Sequence, residues 1–262
     1  MALKENYWSS IIIKEDKLGG EFCYVSKSPF IIGRDKQIIE THADYCIGKY
    51  PVTKSEFLEF VYESGYDYDS YSIDVMNGLS PDSNSPASFV SWWDAKHFAR
   101  WKRKKTGEYY SLPSELEWEA AARGIAGSKY PWGENEPNFT HAHFSSEIPN
   151  IKTIPVGSKP MNQSSCGCID MVGNVWEWCL DKYDESEDEA YVLRGGSCVE
   201  NEDCCACTSK RFCCDPNYRV PYAGFRLMYL TKEMYNVYKM ISSSGQGMKD
   251  TSSRTMSRTI IM

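Results

Sequence analysis

The chain has 262 residues, 42% of them hydrophobic and 25% charged, with a net charge of −7. That balance is ordinary for a globular protein and excludes a wholly disordered chain, a collagen or a coiled coil. No apolar run approaches ~18 residues, so no membrane span is expected, and the acidic total argues against general nucleic-acid binding.

No export pattern follows Met1, which gives the expectation of a cytoplasmic protein. The chain reads as a leader (1–18), one globular domain (19–230) and a basic, Ser/Thr-rich, partly mobile tail (231–262). In chain order, residues 30–32 and 45–48 read as short strands. Thr53-Lys54-Ser55-Glu56 is then a capping box, in which the hydroxyl takes an orphan amide and the carboxylate reaches back. Phe57, Phe60 and Val61 follow on one helical face. Ser91-Trp92-Trp93-Asp94 opens a second helix, with Phe98, Ala99 and Trp101 supplying its buried surface. Ser114-Glu115-Leu116-Glu117 opens a third, which runs through Ala120, Ala121 and Ala122 and stops near Gly124.

The stretch 131–162, rich in Pro, Asn, Gly and His, reads as long ordered loop. Trp176 and Trp178 alternate in an extended segment and point to one face, where core packing is their expected role. Residues 181–189 carry six acids and read as a solvated loop. Residues 191–194 and 224–227 read as strands, and 231–240 as a short helix. Helices early and loops with short strands late favour an α+β fold.

Eleven cysteines are many for a chain with no export pattern, and the odd number leaves at least one unable to pair within the chain. Six of them are Cys198, Cys204, Cys205, Cys207, Cys213 and Cys214. Cys204 and Cys207 give half of a zinc spacing, and Cys213-Cys214 does not complete it. Free thiols are the plain expectation in a reducing compartment; zinc, disulfides and copper stay open beside it.

Several short motifs follow one another. Tyr50-Pro51-Val52-Thr53, the Trp92-Trp93-Asp94-Ala95 helix and Leu112-Pro113-Ser114-Glu115 come first. Tyr130-Pro131-Trp132-Gly133, Pro155-Val156-Gly157 and Met171-Val172-Gly173-Asn174-Val175-Trp176-Glu177-Trp178 follow. Arg194-Gly195-Gly196-Ser197 and Gly224-Phe225-Arg226-Leu227 close the set. In this order they resemble the formylglycine-generating enzyme / sulfatase-modifying factor family over about residues 20–230. The resemblance implies a loop-rich variant of the C-type lectin fold with a ligand surface at its C-terminal end.

Active members of that family oxidise a sulfatase cysteine to formylglycine with copper and oxygen, and hold Cu(I) with two cysteines after the Arg-Gly-Gly-Ser motif. Counted from Ser197, the first of those positions is Glu200 and the second is Cys205. A hard carboxylate is a poor ligand for a soft cuprous ion. Ser197 matches a family active-site serine, in a motif that also turns the backbone. If the protein is an enzyme, Cys205 and Ser197 are its catalytic candidates and copper its cofactor. A second branch of the family uses three histidines to hold Fe(II). The four histidines here, His42, His97, His141 and His143, do not suggest that site.

The resemblance also implies calcium at Asp170, Gly173, Val175 and Glu177, where two carboxylates and two backbone carbonyls form a hard oxygen set. A second calcium site is implied at Asn138 and the carbonyl of Phe139.

Between the two last motifs, 198–223 keeps the family frame around unusual content. That pattern resembles the variable proteins of diversity-generating retroelements, which display a randomised surface on this fold. There the variable segment usually ends the chain, whereas here about 32 residues follow Leu230. In this reading Cys198, Glu200, Glu202, Asp203, Phe212, Tyr218, Val220 and Tyr222 line a face that binds a protein or other ligand. Aromatic residues there give contact area at small entropic cost. The expectation is therefore a ligand-binding protein braced by calcium, with a copper-dependent oxidoreductase as the alternative.

Overall fold

The computed structural model describes residues 11–144, 150–184, 189–201 and 208–243. Its frame is a five-stranded antiparallel sheet in the order β1 (Ile13–Glu15), β2 (Glu21–Val25), β5 (Tyr45–Gly48), β11 (Met228–Leu230) and β6 (Tyr109–Ser111). Successive side chains on a strand point to opposite faces, and here both faces are buried. Phe22, Cys46 and Tyr229 enter a core with helices α1 (Lys54–Ser64) and α3 (Trp92–Thr106). Cys23, Tyr45, Ile47, Met228 and Leu230 enter a second core with α4 (Glu115–Arg123). The first core is dense in rings: Phe57, Phe60, Phe98 and Phe225 meet edge to face at centroid distances of 5.3 to 6.4 Å.

All three expected helix starts carry both halves of the capping box, at Thr53, Ser91 and Ser114. A helix that sequence reading missed, α2 (Ser70–Leu79), begins at the N-cap Asp69 and buries Ser72 and Met76. Ile73, Val75, Asn77 and Gly78 are weak helix formers, so burial of Met76 and the Asp69 cap decide the outcome.

A second sheet has the order β10 (Ala223–Gly224), β7 (Trp176–Lys182), β8 (Tyr191–Arg194) and β9 (Arg211–Cys214). A hairpin of β3 (Pro29–Ile32) and β4 (Gln37–Glu40) stands apart. The strands expected at 45–48 and 191–194 are found with those bounds. The one expected at 224–227 is not continuous. Gly224 ends β10, and the Phe225 and Leu227 carbonyls accept from the amides of Val52 and Gly48 while the chain crosses between sheets.

Two other expectations change and one is met. Residues 13–15, read as part of the leader, form β1 and complete the sheet edge on β2. Asp181 does not sit in a solvated loop: it is on β7 and accepts the Glu115 amide at the N-terminus of α4. The short helix expected at 231–240 is found as α5 (Lys232–Ser243), whose Tyr235 stacks on Tyr109 with ring centroids 4.1 Å apart.

Candidate functional site

Two buried arginines fix the end of the fold that carries 198–223. Arg226 is fully buried and donates to both carboxylate oxygens of Glu177 at 2.6 and 2.7 Å. Its other donors hold the carbonyls of Gly48, Ile169 and Asp170. Trp118 donates its indole N–H to the same Glu177 at 2.7 Å. Arg194, also fully buried, bonds Glu119 at 2.6 Å and Glu115 at 3.1 Å, both on α4. Burial pushes the Glu119 carboxyl up, but Arg194, the Gly33 amide and Arg123 outweigh it and hold the group below its ordinary range.

Arg194 also shapes the loop. After Arg194 the chain turns through Gly195 and Gly196, both at positive φ. Gly195 accepts from the amide of Gly173, whose own φ is +77° and whose Cβ would stand 2.6 Å from the His143 carbonyl. Only glycine fits that approach. Further along the chain, Thr208 and Ser209 lie beside Arg194, which donates to both of their carbonyls. Thr208 is further tied to the Ser128 and Lys129 carbonyls. One guanidinium thus closes the base of the loop, and the return strand β9 pairs with β8 residue for residue.

Several predicted site residues meet here. Glu200 accepts the indole N–H of Trp176 at 2.6 Å, and Lys210 reaches its other oxygen at 3.4 Å. Phe212 lies against Trp176 with centroids 5.5 Å apart. Tyr222, at φ +57°, donates its hydroxyl to the Ile151 carbonyl. Tyr218 is 66% exposed on a turn, and Val220 bridges to Val90. Between them Arg219 points inward to Asp94 at 2.9 Å, lies over the Tyr68 ring and reaches Ser72, anchoring that stretch to α3 and α2.

Cys198 is not on this face. It is fully buried, its amide donates to the Asn174 carbonyl, and burial pushes its thiol up to about 12. A thiol so excluded from water cannot touch a ligand docked outside. Ser197 is buried as well. Glu202, Asp203 and Cys205 lie outside the described residues. Sequence reading missed Lys210, ten residues from its partner Glu200, and Arg219, whose partner Asp94 is 125 residues away. It also placed Trp176 only in the core, whereas its N–H reaches out to Glu200.

The calcium sets divide. Asp170 accepts one amide, from Gly157, and burial pushes its carboxyl up to about 6, with Glu177 adding to the effect. It is a buried carboxylate short of positive charge, and the carbonyls of Gly173 and Val175 belong to the same turn. Glu177 keeps one lone pair beyond those used by Arg226 and Trp118. These are hard oxygen donors of the kind calcium takes, although the Gly173 carbonyl already accepts the Val175 amide at 2.8 Å. The Asn138–Phe139 set does not fit a hard cation. Lys159 already places its ammonium 2.5 Å from the Phe139 carbonyl, and the Asn138 side chain is turned onto Thr140.

Copper does not fit at Glu200, a carboxylate already bonded to an indole and facing an ammonium. The histidines are scattered: His141 stacks on Trp132, His143 bonds the Lys152 carbonyl, and His97 lies against Tyr66. Among the described residues, no group of three or more His, Cys, Asp or Glu could hold a metal ion by side chains alone. No helix of the described chain is long and apolar enough to cross a membrane.

These features define an α+β scaffold of the formylglycine-generating-enzyme type, a C-type-lectin-like fold. The model of the sulfatase-modifying factor enzyme 1-like domain matches residues 17–230, and the chain belongs to that family. It is 35% identical over 136 residues to the inactive C-alpha-formylglycine-generating enzyme 2 of Bos taurus, covering 48% of this chain and 43% of that one. It is 34% identical over 149 residues to the formylglycine-generating enzyme of Streptomyces coelicolor, covering 47% and 45%. The chain thus spans less than half the length of either relative. Among solved structures, PvdO from Pseudomonas aeruginosa superposes with a TM-score of 0.69 at 24% identity, over 83% of this chain and 97% of that one. Treponema denticola variable protein 1 does so with 0.68 at 21%, over 83% and 99%.

Proposed function

We propose that this protein is a ligand-binding member of its family, with a binding face built from the 198–223 segment on a rigid scaffold. The observation that carries the reading is the state of Glu200. Where the copper-binding relatives place a thiolate, this chain places a carboxylate fixed by Trp176 and Lys210. Arg194 holds the Thr208 and Ser209 carbonyls, so the return of the chain into β9 is fixed by the frame. Exposed Tyr218 and Val199 and half-buried Phe212 and Tyr222 suit contact with a protein surface. The fold likeness to a variable protein supports a display role for such a face.

A relative named formylglycine-generating enzyme and one named inactive match almost equally well, so their names do not decide the matter. The deciding experiment incubates purified protein with Cu(I), oxygen and a sulfatase-type cysteine peptide, and follows the peptide by mass spectrometry beside an active family member. No conversion is expected. Conversion to formylglycine that is lost in Cys205→Ser would overturn the reading and install the copper-dependent oxidoreductase. Calcium at Asp170 is part of the proposal as a brace for the turn behind the face.

A further inference from the structure

A second surface stands apart from the 198–223 face. A groove of about 510 Å³ runs between α3 and β6, lined by Trp93, Lys96, Arg100, Arg103, Lys104 and Tyr109, among others. None of its lining residues is acidic and none comes from 198–223. In a protein of net charge −7, a wall of four cations is unusual. Their spacing explains the wall: positions 96, 100, 103 and 104 recur every three to four residues and share one side of the helix. The cations on the other sides of α3 are neutralised. Lys102 pairs with buried Asp16 at 2.9 Å, and Lys105 pairs with Glu59 and Glu63. Among the described residues, Lys96, Arg100, Arg103 and Lys104 have no carboxylate partner. Arg103 lies over the Tyr109 ring and Lys96 over the Trp92 ring, so aromatic faces hold two of them in place.

The floor of the groove is the second observation. β6 is the outer strand of the five-stranded sheet and pairs with β11 on one side only. Over its three residues, such a strand leaves the backbone groups on its outer edge without a sheet partner, and an incoming chain can pair with them. Cations beside an open strand edge suit an extended peptide whose alternate side chains are carboxylates. A nucleic acid would meet the same cations, but it has no strand-like backbone to pair with β6, and its many phosphates would face an acidic molecule.

We infer that the groove between α3 and β6 captures an acidic peptide segment of a partner protein by adding it as a strand to β6, with its carboxylates on Lys96, Arg100, Arg103 and Lys104. The test uses a fluorescein-labelled peptide of alternating Glu and Val, about eight residues long, read by fluorescence anisotropy on the full chain. Saturable binding is expected, and it weakens as salt rises from about 0.05 to 0.3 M. The double substitution Arg100→Gln/Lys104→Gln removes two exposed cations with no packing role and should weaken binding at least about fivefold. Lys152→Gln, an exposed lysine outside the groove, should leave it unchanged. A peptide with alternate backbone amides N-methylated should bind much more weakly. No binding of the plain peptide, equal binding by the double variant, or equal binding of the N-methylated peptide each overturns the inference. Tighter binding of a single-stranded oligonucleotide of matched charge also overturns it and makes the groove a nucleic-acid site.

Discussion

Glu200 and Asp170 are both carboxylates at positions that the family resemblance marks, and their surroundings assign them different work. Glu200 has its charge met by Trp176 and Lys210. Glu200→Ala should cost about 1 kcal/mol, the worth of one partly buried hydrogen bond, and should not change any turnover. A urea titration checks the first part and the peptide assay the second. Asp170 lacks that compensation. Burial holds its carboxyl at about 6, so at neutral pH the folded state carries a poorly neutralised charge. A calcium ion held there would add stability by mass action, about 2.7 kcal/mol at a hundred times its dissociation constant. Added calcium should therefore raise the melting temperature and a chelator should lower it. Asp170→Asn should be insensitive to either. A wild-type melting temperature unmoved by calcium would mean that Arg226 alone balances the turn.

At the scale of elements, the capping boxes were the most legible feature, because their chemistry is confined to four consecutive residues. They are not equal in weight. Ser114→Ala should cost about 1 kcal/mol, as a cap of one helix. Asp94 closes the box of α3 and also binds Arg219, 125 residues away, and the Tyr66 hydroxyl. Asp94→Ala should cost roughly 3 kcal/mol or more, since it strands a half-buried arginine as well as an amide. It should also loosen 215–220, visible as faster amide exchange there than in Ser114→Ala. Sequence reading found Asp94 as a cap and could not find its second partner, since nothing local marks a contact over that distance. The same limit hid β1, β9 and the Arg194 clamp. The strands 45–48 and 191–194 were legible because each is a short apolar run between turn residues. β9 was not, because Arg211 and Cys213-Cys214 carry no alternating pattern and pairing with β8 alone makes them a strand. Within the candidate site, the motif frame could be read from order and spacing. Which of its residues face outward could not, and Cys198 shows the difference.

At the scale of the whole molecule, the buried carboxyls set how stability varies with pH, and they act in opposite directions. Asp16 is pushed up by burial but brought below its ordinary value by Lys102 and the amides of Gly20 and Leu18, and Glu119 is lowered by its arginines. For both, the folded state binds protons less readily than the unfolded chain. Their stabilisation is complete above the ordinary carboxylate range and is lost as pH falls through their lowered values. Asp170, Glu117 and Asp181 are raised, chiefly by burial. For these the folded state takes up protons more readily, so stability grows as pH falls from neutrality through their raised values. The sum is a maximum rather than a plateau: the urea midpoint should rise modestly from pH ~7 to ~5 and fall steeply below pH ~4. Calcium should flatten the upper arm, because it holds Asp170 ionised. Lys102→Met should lower the midpoint at neutral pH by roughly 3 kcal/mol or more in stability, since it leaves Asp16 buried without its cation. It should also soften the acid arm, because Asp16 would then protonate at higher pH. A midpoint that falls steadily from pH ~7 downward would show that the paired carboxyls outweigh the raised ones across the whole range.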